Sequence, residues 1–215
     1  MNDARERKGR AWNNKMSYLR LVTERLELTA GSLALSQAEL QDRTRFHELL
    51  NAQVVEWPPR GCDEQAMTSM RDYFAENPND SGWGAWYFIL RGSNEEERVL
   101  IGNGGFKGSP SSDGSVEVGY SIVDRFQRKG YATEAVQSLV AWAFDYQEVR
   151  RVLAEALPEN TPSIRVLEKN GFRYIGQGSE ERVIRYEITR EDFIQRTGGL
   201  DAFVTTPLAG GRRQV

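Results

Sequence analysis

Residues 115–157 constrain this chain most, because they read as strand, glycine-bearing loop, long helix and second strand. From Ser115 to Val123 the side chains alternate, with Val116, Val118, Tyr120 and Ile122 on one face and Glu117, Gly119, Ser121 and Val123 on the other. Residues 130–146 offer Ala135, Leu139, Ala143 and Phe144 for packing as a helix, and residues 149–157 are again strand-like. Two strands of one sheet joined through a helix run parallel, whereas residues 83–90 and 99–106, separated by a polar stretch, read as an antiparallel hairpin. Further strands are expected at 23–29, 172–175 and 182–189. Helices are expected after Ser36, with Glu39 completing a capping box and Leu40, Phe46, Leu49 and Leu50 as one stripe; after Asp63, with Met67, Met70 and Phe74 inward; and after Asn160 or Thr161, with Pro162 in the first turn and Gly171 at the end. The fold class is therefore α/β (α+β): a mixed, mostly antiparallel sheet of about six to seven strands flanked by about four helices.

The junction Arg125-Phe-Gln-Arg-Lys-Gly-Tyr-Ala-Thr-Glu-Ala135 suits an anion. Unsatisfied N–H groups at a helix N-terminus, together with the helix dipole, hold phosphate with few side chains. Gly130 permits a tight turn and Ala132 leaves room for a ligand, while Arg125, Arg128 and Lys129 supply charge. Neither GxGxxG nor GxxxxGK[ST] occurs, so the dinucleotide and P-loop fingerprints are missing. An ordinary strand-to-helix turn has the same local pattern.

Composition narrows the field. A chain of 215 residues with 39% hydrophobic and 27% charged content can bury a substantial core. One domain is expected over residues 21–195, between a flexible basic tail at 1–20 and a second tail at 196–215. A net charge of −3 without a basic, aromatic-interleaved stripe argues against general nucleic-acid binding, although the basic tail could reach ribosomal RNA or an acidic partner. No apolar run has the length of a membrane span and the polar start lacks a secretory signal, so a cytoplasmic protein is expected. The single Cys62 excludes an intramolecular disulfide, and no Cys/His cluster suggests a metal. His47, inside the first helix beside core residues, reads as structural rather than catalytic.

A second segment, Leu157-Pro-Glu-Asn-Thr-Pro-Ser-Ile-Arg-Val-Leu-Glu-Lys-Asn-Gly-Phe172, gives the loop its context. Together the two segments resemble the GNAT superfamily of N-acetyltransferases, and Thr23-Glu-Arg-Leu-Glu-Leu28 looks like the opening strand of the RimJ/RimL-type branch, which acetylates ribosomal-protein N-termini. The resemblance spans roughly residues 23–188. It implies a sheet whose two central strands splay, with acetyl-CoA entering the cleft. Ile122 and Val123 would pair with the pantetheine arm through their backbone, the Val123 N–H polarising the thioester carbonyl. Gln127, Arg128, Lys129, Gly130, Tyr131, Ala132 and Thr133 would cradle the pyrophosphate. Asn160 would bind pantetheine or cap its helix, and Ser163 would act as general acid near the sulphur.

Transfer of an acetyl group to an amine needs a base for the ammonium proton. Glu117, a carboxylate breaking an apolar strand where the family often carries one, is the leading candidate, with Glu155, then Glu180 and Glu181, behind it. Tyr120 and Tyr131 are further proton donors. Glu56 and Trp57 are candidate acceptor contacts, although Trp57 equally suits an anchor for the Pro58-Pro59 turn. The expected reaction is direct attack in a ternary complex, without a covalent intermediate on Cys62, on a protein or peptide N-terminus or a small amine. A non-catalytic acyl-CoA sensor is the alternative, and a homodimer is compatible with either.

Overall fold

The computed structural model describes residues 18–94 and 97–199. Most of the two expected tails, including the basic residues at 1–17, lies outside the described residues.

The chain order is β1 (Arg20–Val22), β2 (Leu26–Ala30), α1 (Leu33–Gln41), α2 (Arg43–Leu50), β3 (Gln53–Val54), α3 (Glu64–Glu76), β4 (Ala85–Leu90), β5 (Val99–Phe106) and β6 (Ser115–Ile122). A 3-10 turn (Asp124–Phe126) then leads to α4 (Tyr131–Phe144), β7 (Arg151–Ala156), α5 (Thr161–Lys169), β8 (Arg173–Gln177), β9 (Ile184–Thr189) and α6 (Arg190–Thr197). Strands lie in the order β1-β2-β4-β5-β6-β7-β9-β8, with β3 against β5. The mixed, mostly antiparallel sheet is as expected, but its described strands number nine and the helices six.

The differences have local causes. Strands β1 and β3 have three and two residues, too few for alternation to register. The expected first helix is two, because Asp42 leaves helical geometry (φ −148°, ψ 89°) and its carboxylate accepts from the Arg45 N–H to start α2. The first cap is Ser32 rather than Ser36: Ser32 is extended and accepts from the Leu35 N–H, while Ser36 is buried inside α1. Helix α6 went unread, although Thr189, which accepts from the Asp192 N–H, is an N-cap with two acidic residues behind it.

Two apolar layers fix the sheet. On one face Tyr87, Ile89 and Leu100 pack against Leu35, Ala38, Phe46 and Leu50 of α1 and α2. On the other, Trp86, Phe88, Val118 and Ile122 pack against Ala135, Leu139 and Trp142 of α4. The functional consequence lies in the register. Strands β6 and β7 pair in parallel only from Ser115–Arg151 to Glu117–Leu153. Beyond that point β6 continues with β5 as far as Gly102–Ile122, while β7 continues with β9 as far as Ala156–Ile184. The central strands therefore part at Glu117 and leave a fork. No described helix is long and apolar enough to cross a membrane.

Candidate active site

The fork exposes one edge of β6. The Val123 N–H bonds to the Ile101 carbonyl at 2.9 Å, and the Lys107 N–H bonds to the Glu117 carbonyl at 3.0 Å, so odd residues of β6 turn their backbone toward β5. By antiparallel alternation the even residues, Tyr120 and Ile122, turn theirs toward the fork. The assignment of a polarising N–H to Val123 is thus corrected: that donor already serves the sheet, and Ile122 is the neighbour whose N–H faces the opening. Gln127, expected among the ligand contacts, instead turns its side-chain amide back to the Ile122 carbonyl (2.9 Å) and Asp124 (3.0 Å), and so fixes the path from β6 into the loop.

The loop has the geometry for phosphate. Arg128 (φ 62°) and Gly130 (φ 84°) are both left-handed, and Gly130 is the N-cap of α4 without a side-chain partner for the helix N–H groups. Those donors, from Tyr131 through Thr133, are the unsatisfied first-turn set. Arg128 and Lys129 are exposed beside them, and Ala132 keeps the first turn low. A cleft of about 600 Å³ opens at this point, lined by Arg60, Ser121, Asp124, Gln127, Arg128 and Asn160. Residues of both motifs therefore meet in one cavity, and an extended pyrophosphate-bearing ligand fits their chemistry.

Proton-handling groups flank the fork on opposite faces. Asn160 caps α5 by accepting from the Ser163 N–H at 3.3 Å, which places the Ser163 hydroxyl 3.0 Å from the Tyr120 hydroxyl. The Tyr120 O–H also donates to the Ser163 carbonyl at 3.1 Å. Burial pushes the Tyr120 hydroxyl up to about 12, against the Ser163 bond, so it stays protonated. Tyr131 lies elsewhere, under the Arg25 guanidinium at 4.6 Å. On the opposite face Glu117 pairs with Lys107, and Gly119 beside it has open space where a side chain would stand. Glu155 is engaged: it accepts from the Ser179 N–H and hydroxyl (2.7 and 2.6 Å) and from Arg185 (2.6 Å). Burial would raise its carboxyl, but these bonds hold it below the usual carboxylate range. Glu180 and Glu181 are exposed between β8 and β9.

The connection from α2 to α3 crosses the Glu117 face. Its Arg60 pairs with Asp124 (2.8 Å), its Glu56 with Arg125 (3.4 Å), and the Ser121 hydroxyl donates to the Arg60 carbonyl (2.8 Å). Trp57 is anchored: its indole N–H donates to Glu39 at 3.0 Å and its ring packs near Phe46 and Tyr87, with centroids 6.0 and 6.3 Å away. Glu39, which the sequence reading treated only as a capping residue, also accepts from the Tyr87 hydroxyl at 2.7 Å; burial raises its carboxyl despite both bonds. Cys62 accepts from the Asn103 side chain, and burial pushes its thiol up, which disfavours a thiolate nucleophile. His47 is exposed rather than packed beside the core, and its Nδ1 lies 2.6 Å from the Ala52 carbonyl, away from the fork. Among the described residues no group of three or more His, Cys, Asp or Glu side chains could hold a metal ion.

Comparison with known proteins agrees with this arrangement. A profile of the acetyltransferase (GNAT) domain matches residues 32–173. The uncharacterized N-acetyltransferase YjdG of Bacillus subtilis is 33% identical over 153 residues, which is 71% of this chain and 88% of that protein. The fold is shared with a ribosomal-protein-S5-alanine acetyltransferase of Vibrio fischeri (TM-score 0.54, 21% identity, 81% of this chain and 98% of that one). It is shared too with the microcin C7 self-immunity acetyltransferase MccE in complex with acetyl-CoA and AMP (TM-score 0.54, 16% identity, 78% of this chain and 93% of that one). The forked sheet, the left-handed loop opening α4 and the match over residues 32–173 together make this chain a member of the GNAT family of acetyl-CoA-dependent N-acetyltransferases.

Proposed function

We propose that the chain transfers acetyl from acetyl-CoA to a primary amine by direct attack in a ternary complex, with Glu117 accepting the amine proton and the Tyr120–Ser163 pair supplying one to the departing thiolate. The observation that carries this reading is the placement of those groups on opposite faces of one fork: Glu117 at the last residue of β6 still paired with β7, and the Tyr120 and Ser163 hydroxyls 3.0 Å apart across from it. Acetyl-CoA supplies the activated acetyl group. An amine entering from the α1–α2 face meets Glu117, whose Lys107 partner is exposed and can give way to an incoming ammonium. Glu56, half-exposed on the connection that roofs this face, is the outer contact for a cation, and the anchored Trp57 supplies a fixed wall behind it. Gly119 leaves room for a chain-like acceptor, so a protein or peptide N-terminus leads and a small amine follows. The shared fold with a ribosomal-protein-S5-alanine acetyltransferase favours the former.

An acceptor screen with acetyl-CoA tests the reading. Peptides with free N-termini should release CoA thiol faster than N-blocked copies, with polyamines, amino acids and aminoglycosides as comparators. Tight acetyl-CoA binding without thiol release on any amine would replace the enzyme with a sensor. Tyr120→Phe should lower turnover by about 10²-fold, the lower end of acid–base contributions, with little change in the acetyl-CoA KM. Because the Tyr120 hydroxyl is pushed up to about 12, the wild-type rate should show no loss of this acid as pH rises to 10. An alkaline limb below pH 10 that disappears in Tyr120→Phe would show the hydroxyl ionising there and contradict its upward shift, whereas an unchanged rate in Tyr120→Phe would remove it as the acid.

A further inference from the structure

The segment Thr23-Glu24-Arg25 lies in the turn between β1 and β2, far in sequence from the loop before α4, yet it is fastened to it. Glu134, in the first turn of α4, accepts from the Thr23 hydroxyl (2.6 Å), the Arg25 N–H (2.8 Å) and the Arg25 Nε (2.6 Å). The same guanidinium donates through Nη1 to the Lys129 carbonyl at 2.9 Å and stacks 4.6 Å from the centroid of Tyr131. Its Nη2 lies 3.4 Å from the position a Cβ would take on Gly130. One side chain thus touches the residues before, after and at the left-handed glycine.

This arrangement addresses a conflict in the loop. A carboxylate in the first turn of a helix is favourable for the dipole, but there it also repels a phosphate that the same N–H groups bind. Burial alone would raise the Glu134 carboxyl; the Thr23 and Arg25 hydrogen bonds and the Arg25 charge hold it below its usual range, so the negative charge is present and matched. The bond to the Lys129 carbonyl fixes the peptide that joins Lys129 to Gly130, which sets the direction of the loop donors.

We propose that Arg25 is a cofactor-positioning residue, which cancels the charge of Glu134 and clamps the Lys129 carbonyl so that the loop before α4 presents its N–H groups to the pyrophosphate of acetyl-CoA. The proposal rests on the reading of that loop as the pyrophosphate site. Thr23-Glu-Arg-Leu is then the outer half of the phosphate site, in addition to the lead-in to β2.

Binding is measured with acetyl-CoA and with S-acetylpantetheine, which lacks the pyrophosphate, alongside thermal melting of each variant. Arg25→Gln should weaken acetyl-CoA by about 10-fold, the scale of one charge-assisted hydrogen bond, and leave S-acetylpantetheine unchanged. Arg25→Gln combined with Glu134→Gln, which removes both charges but does not restore the bond to the Lys129 carbonyl, should recover the part of the loss caused by the uncancelled Glu134 charge and leave acetyl-CoA about threefold weaker than in the wild type, a non-additivity that marks coupled groups. Equal loss for both ligands, or no recovery in the double variant, overturns the proposal, since a merely structural brace predicts either. A wild-type protein that binds S-acetylpantetheine as tightly as acetyl-CoA overturns the loop reading and the proposal together, whereas a wild-type preference unaffected by Arg25→Gln overturns the proposal alone.

Discussion

Glu117→Gln should lower turnover by about 10²- to 10⁴-fold at neutral pH while acetyl-CoA affinity stays within about threefold of the wild type, because general-base catalysis contributes on that scale and cofactor binding does not use this side chain. The substitution keeps the shape of the residue at the fork and removes only its basicity. The Lys107–Glu117 pair is largely exposed on the lysine side, and such pairs contribute under about 1 kcal/mol, so the fold should survive. The discriminating measurement is the pH dependence of kcat/KM. With Glu117 as base, raising the pH should partly rescue the variant, since the free amine fraction of the acceptor increases without help. A variant with full rate and an unchanged profile removes Glu117 from the mechanism. Glu155 would not then inherit the role unaided, because Arg185 and Ser179 occupy its oxygens.

Gly130→Val should abolish measurable acetyl-CoA binding. At φ 84° a β-branched residue is held in a sparsely populated region at a cost of about 1–3 kcal/mol, which the loop can relieve only by leaving the geometry that aims its donors. The added side chain would also start 3.4 Å from the Arg25 Nη2 and spread into the space proposed for the pyrophosphate. Gly130→Ala bears the backbone strain with a single added carbon and should retain weak binding. The two variants are separated by titration with acetyl-CoA, together with a melting curve to show that the sheet is intact. Normal titration by Gly130→Val would defeat the loop assignment, and with it the proposed work of Arg25.

The expectations that held best were those carried by local chemistry. Asp63 caps α3 by accepting from the Ala66 N–H, and Asn160 caps α5, because a short polar side chain before an apolar run satisfies orphan donors wherever it sits. Alternation from Ser115 to Ile122 survives because one face of β6 packs on α4 while the other borders the cleft, but Val123, expected on the cleft-facing side, lies beyond the strand and is buried in the same core as Val118 and Ile122. Where the sequence reading failed, the missing term was a partner from elsewhere in the chain. Nothing local distinguishes Ile122 from Val123 as a donor; the distinction comes from which strand lies on which side, and the Ile101 carbonyl decides it. Trp57 reads equally as acceptor contact or anchor until Glu39, eighteen positions earlier, is found accepting its N–H.

The sequence by itself determined the class of sheet, the parallel crossover and most helix starts, since periodicity, capping and glycine conformations act over a few residues, and its two motifs carried the resemblance to the GNAT family. Only the tertiary structure decided where β6 and β7 part, which hydroxyls meet, which partners the candidate carboxylates take, and that Arg25 reaches Glu134 across 109 positions. Those are outcomes of register and burial, in which each group's chemistry is set by whatever distant side chain or carbonyl satisfies it first.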